Sequence, residues 1–334
     1  MRILIVGGTG FLGGATARAA ITAGHDVTVM TRSGKGVADG AATLIADRTQ
    51  ELPDLQGQFD AVIDTCGYAP DMVSTLAHAV GNVHHVFVSS ISVYDDLSEP
   101  GLDEIASASA ATSEQREEAA DVDPALRGTA EPYGAAYGPL KRSCEDAAIA
   151  GFGDKATLIR LGLIVGPGDY TDRFTWWIRR CDRGGALPVP DPPKRPIQLI
   201  DVEDAAQFML HLAERGKGGT FNLTGKPITF QAMLDAIIAE TKGKPDLKWT
   251  PLKTFTDAGL APWADLPLIV PDKPTARHML NVSTGSARAA GLTCRPLRET
   301  IQRTLQWDHA QRDTPLKCGM SAEAEQMVLK ALEP

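Results

Sequence analysis

Short, almost wholly apolar runs rich in β-branched residues recur through the first two-thirds of the chain, at Arg2–Val6, Asp26–Met30, Ala42–Ala46, Ala61–Asp64, His85–Ser89 and Thr157–Leu161. They do not alternate polar with apolar, so both faces of each strand are expected to be buried, as in a parallel sheet covered by helices on both sides. Between the first two runs, the alanine-rich stretch Leu12–Ala23 ends at Gly24, which predicts a helix with a glycine stop. The result is a βαβ unit of about 30 residues. The fold class that follows is α/β, a Rossmann-type doubly wound parallel sheet with a smaller C-terminal substrate lobe.

The rhythm breaks at Asp95–Glu131, which is rich in Asp, Glu, Ser and Ala and poor in large apolar residues. This composition predicts a surface excursion with little share in a core. It starts just beyond a strand end, so it is either a lid over a site or a floppy loop. Beyond Gly166 the sequence turns to proline and glycine, with helical stretches near Phe230–Thr241 and Leu297–Leu305. The expected organisation is a dinucleotide-binding domain at 1–166 plus about 197–224, and a substrate lobe at about 167–196 plus 225–315. A C-terminal helix or arm at 316–334 packs on its own domain or on a neighbour.

Composition narrows the class. Of 334 residues 43% are hydrophobic and 22% charged, ordinary globular values, and no apolar run is long enough to cross a bilayer. The N-terminal apolar run is too short for a signal peptide, so cytoplasmic residence is expected. The cysteines Cys66, Cys144, Cys181, Cys294 and Cys318 are too scattered for a metal or redox motif, and no metal is expected. A net charge of −9 without a basic stripe repels phosphate backbones, which argues against nucleic acid as a partner.

The first chemical signal is Gly7, Gly8, Thr9, Gly10, Phe11, Leu12 and Gly13, between a strand and a helix. In that context Gly7 makes the tight turn, Gly10 leaves space for a pyrophosphate at the helix N-terminus, and Gly13 lets helix and strand approach. At the end of the second strand, where an acid would bind the ribose hydroxyls of NAD, stand Thr31 and Arg32. NADP is therefore expected over NAD. Asp47, after the third strand, is placed either to meet the adenine amino group or to cap a helix.

The second signal is Tyr137 with Lys141 four residues on, one face of a helix if the segment is helical. A phenol is too weak an acid to exchange its proton readily at neutral pH, and a nearby ammonium would favour its phenolate. The third is Ser90, on a strand ending in hydroxyls, placed to hydrogen-bond a substrate oxygen.

Together these residues resemble the extended branch of the short-chain dehydrogenase/reductase superfamily, which includes nucleotide-sugar epimerases and dehydratases. GGTGFLGG carries the glycine spacing, VSSISVY the active-site serine strand and YGPLK the Tyr/Lys pair, and the likeness covers about residues 1–225. The resemblance implies Ser90, Tyr137 and Lys141 as the catalytic set. It also implies that Thr65, Cys66, Gly67, Ser89 and Leu163 border the cofactor, that Lys141 holds the nicotinamide ribose, and that the protein forms a homodimer. One departure stands out: the nucleotide-sugar members carry an Asn soon after the Arg of the sixth strand, and none follows Arg160 here. Other stretches look like a bacterial subgroup labelled isoflavone-reductase-like, which is also similar to chloroplast stem-loop RNA-binding proteins.

The expected activity is hydride exchange between a nicotinamide cofactor and a carbonyl or alcohol of a small substrate. The alternatives are an epimerase or dehydratase with tightly bound NAD, and a non-catalytic dinucleotide sensor. For substrate contacts, Tyr94, Arg173, Trp176 and Trp177 are candidates: the segment around Trp176 forms either a pocket wall with cations or an amphipathic helix whose aromatics are core.

Overall fold

A computed structural model describes residues 1–123, 126 and 129–332. In chain order it runs through β1 (Arg2–Val6), α1 (Phe11–Thr22), β2 (Asp26–Thr31), β3 (Ala42–Ile45), β4 (Ala61–Asp64), α2 (Pro70–Val80), β5 (His84–Ser90), α3 (Ser113–Ala120), α4 (Tyr137–Phe152) and β6 (Ala156–Leu161). Next come β7 (Leu163–Val165), α5 (Arg173–Arg183), β8 (Gly185–Pro190), β9 (Pro196–Ile197), β10 (Leu199–Asp201), α6 (Val202–Arg215), β11 (Gly219–Leu223) and β12 (Ile228–Thr229). The chain ends with α7 (Phe230–Glu240), β13 (Pro245–Thr250), α8 (Leu252–Asp257), α9 (Gly285–Ala289), α10 (Leu297–His309) and α11 (Ala322–Lys330).

The main sheet has seven strands in the order β11-β6-β5-β4-β1-β2-β3, and each neighbouring pair is parallel. The six strands expected from the apolar runs all lie in it, with ends within a residue. The order reverses between β1 and β4. A doubly wound sheet opens a crevice there, at the carboxyl ends of its strands, because successive crossover helices leave on opposite faces.

Two larger cores divide the apolar residues. The first joins β1, β2 and β4 to α1 and α6, with Ile3, Ile5, Val29 and Met209 buried. The second lies in the C-terminal half, where Phe174, Trp177, Phe230, Leu234, Phe255 and Ile301 pack together. Here α5 carries the expected helix near Trp176, and its aromatics form that core: Trp177 is fully buried and donates from its indole to the Pro267 carbonyl at 2.8 Å.

One expectation is corrected. The excursion after Tyr94 does share in the core: Leu97, Ala111 and Ala119 are buried. Its backbone is tied to a distant segment, with the Leu97 N–H donating to Thr275, Gly101 to Asn281 and His278 to Leu97. Its residues 124, 125, 127 and 128 lie outside those described. The last helix, α11, packs within its own lobe: Ala324 and Val328 belong to the second core and Glu325 is buried against Arg180. Among the described residues no helix is long and apolar enough to cross a membrane.

Candidate active site

The residues present fit a dinucleotide. Gly7 has φ +81°, and a Cβ there would lie 2.7 Å from Thr65 Oγ1 and 2.9 Å from Cys66 Sγ. A Cβ on Gly13 would sit 2.2 Å from the Gly7 carbonyl oxygen, so helix and loop touch backbone to backbone. Gly10 is different: a Cβ there meets nothing nearer than the Gly7 oxygen at 3.6 Å. Gly10 and Thr9 are exposed, and Gly10 caps α1 with no side chain on the first-turn N–H groups. That leaves room and unpaired donors at a helix N-terminus, which suits a pyrophosphate. Leu12 is buried, and Phe11 packs under Gly168 from the turn after β7, where a Cβ would be 3.7 Å from its ring.

The other cofactor candidates ring this loop. Thr65, Cys66 and Gly67 follow β4, across the switch point from the glycine loop, and Thr65 donates to the Val6 carbonyl at 2.9 Å. Thr31 is buried at the end of β2 and Arg32 is exposed beyond it. No helix follows Asp47; its carboxylate accepts from the Thr49 N–H at 2.9 Å and its hydroxyl at 2.8 Å, capping a turn. Leu163 is half-buried on β7 and Ser89 fully buried on β5, its hydroxyl without a hydrogen-bond partner among the described residues.

Ser90, Tyr137 and Lys141 come together beside this crevice. Ser90 ends β5, and its Oγ accepts from the Ser92 N–H at 3.1 Å. Tyr137 opens α4, which packs so tightly on the turn after β5 that a Cβ on Gly138 would lie 2.0 Å from the Ser92 oxygen. This contact sets the phenol within hydrogen-bonding reach of the Ser90 hydroxyl. Burial pushes the phenol up to about 12, and the Ser90 hydrogen bond only partly offsets it. The expected lowering by Lys141 is therefore not what governs Tyr137 in the free protein.

Lys141 explains why. It is 2% exposed and donates to the Gly67 carbonyl at 2.7 Å and the Val88 carbonyl at 2.8 Å. Its ammonium lies 4.5 Å from the centre of the Tyr68 ring, and that ring stacks on Tyr133 at 5.4 Å. Burial lowers its pKa. Two of its three donors thus hold the ends of β4 and β5 together, leaving one for a ligand.

Sequence reasoning missed a buried ion cluster directly beneath. Arg48 forks onto Asp64 at 2.6 and 2.8 Å and donates to the Met72 carbonyl, and His85 Nε2 lies 3.7 Å from Asp64. Burial alone would raise the Asp64 carboxyl, but the Arg48 guanidinium overrides it and holds the group well below the carboxylate range. The same carboxylate accepts from the Cys66 N–H at 3.2 Å, so the cluster braces the Thr65–Gly67 turn. The signal in the sequence was an acid and a histidine inside otherwise apolar strands.

Three of the substrate candidates lie elsewhere. Trp176 and Trp177 are core, at 6% and 0% exposed. Tyr94 is buried too: its hydroxyl donates to Asn222 at 2.6 Å and the Arg160 guanidinium covers its ring at 4.9 Å. Arg160 is itself paired with buried Glu145 at 2.8 Å. Arg173, at the start of α5, is half-buried and lies over the Trp263 ring at 4.9 Å.

A parallel seven-stranded sheet with a glycine loop at its switch point and a Ser/Tyr/Lys set beside it, at the carboxyl end of β5, is the arrangement of a Rossmann-type dinucleotide protein of the extended short-chain dehydrogenase/reductase kind. The model of the NAD dependent epimerase/dehydratase family matches residues 3–224, and the chain belongs to that family. Among curated proteins it is 27% identical over 270 residues to the chloroplast stem-loop binding protein of 41 kDa b of Arabidopsis thaliana, a match covering 73% of this chain and 64% of that protein. It is 26% identical over 256 residues to the 2'-dehydrokanamycin reductase of Streptomyces kanamyceticus, covering 71% of this chain and 66% of the reductase. The chain thus spans just under two thirds of the length of these relatives. The fold is shared with UDP-N-acetylglucosamine 4-epimerase from Bacillus cereus, with a TM-score of 0.59 at 16% identity over 95% of this chain and 99% of that one.

Proposed function

We propose that the protein is an NAD(P)-dependent oxidoreductase that interconverts a carbonyl and an alcohol on a small substrate. The observation that carries this reading is the half-buried phenol of Tyr137 beside Ser90, at the mouth of a crevice whose glycine loop has room for a pyrophosphate. When bound, the nicotinamide supplies or accepts the hydride. Ser90 orients the substrate oxygen by hydrogen bonding. In reduction Tyr137 donates its proton to that oxygen, and in oxidation it takes the proton back. Lys141 fixes the turn after β4 against β5 and keeps one donor for the ribose. The single-point test is Tyr137→Phe: turnover falls by about 10²-fold or more while dinucleotide affinity and the folded spectrum are retained. Unchanged turnover in that variant overturns the reading.

For the cofactor the reading is NADP in preference to NAD, since Arg32 stands where a ribose-binding acid would. NADPH should bind more tightly than NADH, and Arg32→Ala should narrow the gap. A clear NADH preference in the unmodified protein rejects this assignment.

Family membership favours a second reading, an epimerase or dehydratase in which the same residues oxidise a sugar transiently and return the hydride. It predicts firmly bound NAD after purification and no net change in cofactor redox state. The stem-loop binding relative raises RNA as a ligand, but a net charge of −9 opposes it. A small-molecule substrate and cytoplasmic residence complete the proposal.

A further inference from the structure

The turn after β7 carries Tyr170, which is 46% exposed in a protein whose other large aromatics are mostly buried. Gly168 of that turn packs on Phe11 of the cofactor loop, so Tyr170 borders the crevice. Two cations flank it. Lys317, exposed on the segment leading to α11, lies 5.8 Å from the Tyr170 ring centre. Arg173 follows three residues on, over Trp263.

These cations differ from their neighbours. The other arginines of α5 have carboxylate partners: Arg179 with Asp308, and Arg180 and Arg183 with Glu325. Arg173 and Lys317 form no ion pair among the described residues, and Arg173 Nε is buried without an acceptor. The two carboxylates close by are already engaged with the turn: Asp169 accepts from the Thr171 N–H and hydroxyl, and Asp172 from the Lys317 N–H at 3.0 Å. Both are buried, at 3% and 8% exposed. In an acidic protein, an Arg fork left unpaired beside a Lys at the rim of a crevice suits a ligand that brings its own negative oxygens.

We propose that Arg173 and Lys317 form the anion-recognising rim of the substrate crevice, with Tyr170 as the flat contact between them, and that the substrate is therefore a carbonyl or alcohol compound bearing a carboxylate or phosphate group. This rests on the hydride-transfer reading for the reaction, but not for the binding.

The test saturates the protein with NADPH, so that the glycine loop is filled, and titrates inorganic phosphate, acetate and the neutral acetamide, following Trp fluorescence and heat. Expected is saturable binding of phosphate or acetate, weakened at least fivefold by Arg173→Gln and by Lys317→Gln, and largely restored in Arg173→Lys. Acetamide should not bind. Phosphate binding alone identifies a phosphorylated substrate, and acetate binding a carboxylate. Equal anion binding in the unmodified protein and both Gln variants, or no saturable binding of either anion, overturns the proposal. Failure of the hydride reading looks different: no carbonyl compound oxidises NADPH, while the charge-dependent anion binding persists.

Discussion

At the residue scale, Tyr137 shows how burial suits a group to one direction of a reaction. With its pKa pushed up to about 12 the phenol stays protonated from pH 6 to 9, and reduced nicotinamide carries no positive charge to change that. The rate of carbonyl reduction should therefore be nearly flat over this range, whereas alcohol oxidation, which needs the phenolate, should climb with pH. Initial rates in both directions check it; a reduction rate falling tenfold per pH unit above 7 would contradict the assignment. Asp64 makes a stability prediction of the opposite kind. Its folded pKa is depressed, so its contribution is fully present above the unfolded value of about 3.9, starts to decline below it and is lost only as pH falls through the much lower folded value. Asp64→Asn leaves Arg48 buried and uncompensated, which should cost about 3–5 kcal/mol at pH 7. Between pH 7 and 3.5 the gap between the two proteins' urea midpoints should narrow only slightly, by less than about 1 kcal/mol, because the folded carboxylate is still ionised at pH 3.5.

At the scale of elements, the glycine loop separates fold from function within one motif. A methyl on Gly13 collides with backbone that cannot retreat, whereas one on Gly10 meets only the Gly7 oxygen, at an ordinary contact distance of 3.6 Å. Gly13→Ala should then lower both stability and dinucleotide affinity, and Gly10→Ala only the affinity, by about tenfold or more if the methyl displaces the pyrophosphate. Melting curves and a dinucleotide titration on both variants decide it, and Gly10→Ala binding as tightly as the unmodified protein would mean the loop is not the pyrophosphate site. The strands of the main sheet were legible because continuous apolar runs bounded by turns have few alternatives. The glycine loop and the Ser90, Tyr137 and Lys141 set were legible because each is local. What was not legible was long-range: Tyr94 looked like a site residue beside Ser90, but its partner Asn222 comes from β11, at the sheet edge. Likewise the excursion reads as polar on composition, yet a few small apolar residues suffice once the segment near His278 supplies backbone partners.

At the scale of the whole molecule, the two cores suggest that stability and cofactor binding can be uncoupled. The second core is closed by α11, whose Glu325 takes both oxygens onto Arg180 at 2.8 and 2.9 Å and also meets Arg183. Arg180 is 5% exposed and donates to the Gly184 carbonyl at 2.7 Å, so its remaining hydrogen bonds cannot neutralise its charge. Glu325→Ala should cost about 3–5 kcal/mol, because removing one partner of a buried pair strands the other. Replacing both, as Glu325→Leu with Arg180→Met, should recover most of the loss, since an apolar pair carries no desolvation penalty. The glycine loop belongs to the first core, with α1 packed on α6, and none of these groups touches it. Dinucleotide affinity measured well below the melting temperature should then stay within about twofold in Glu325→Ala, while calorimetry shows an earlier melt that the double variant reverses. If affinity fell in step with stability, the two cores would have to act as a single cooperative unit, and the crevice between them would be set by the C-terminal helix as much as by the sheet.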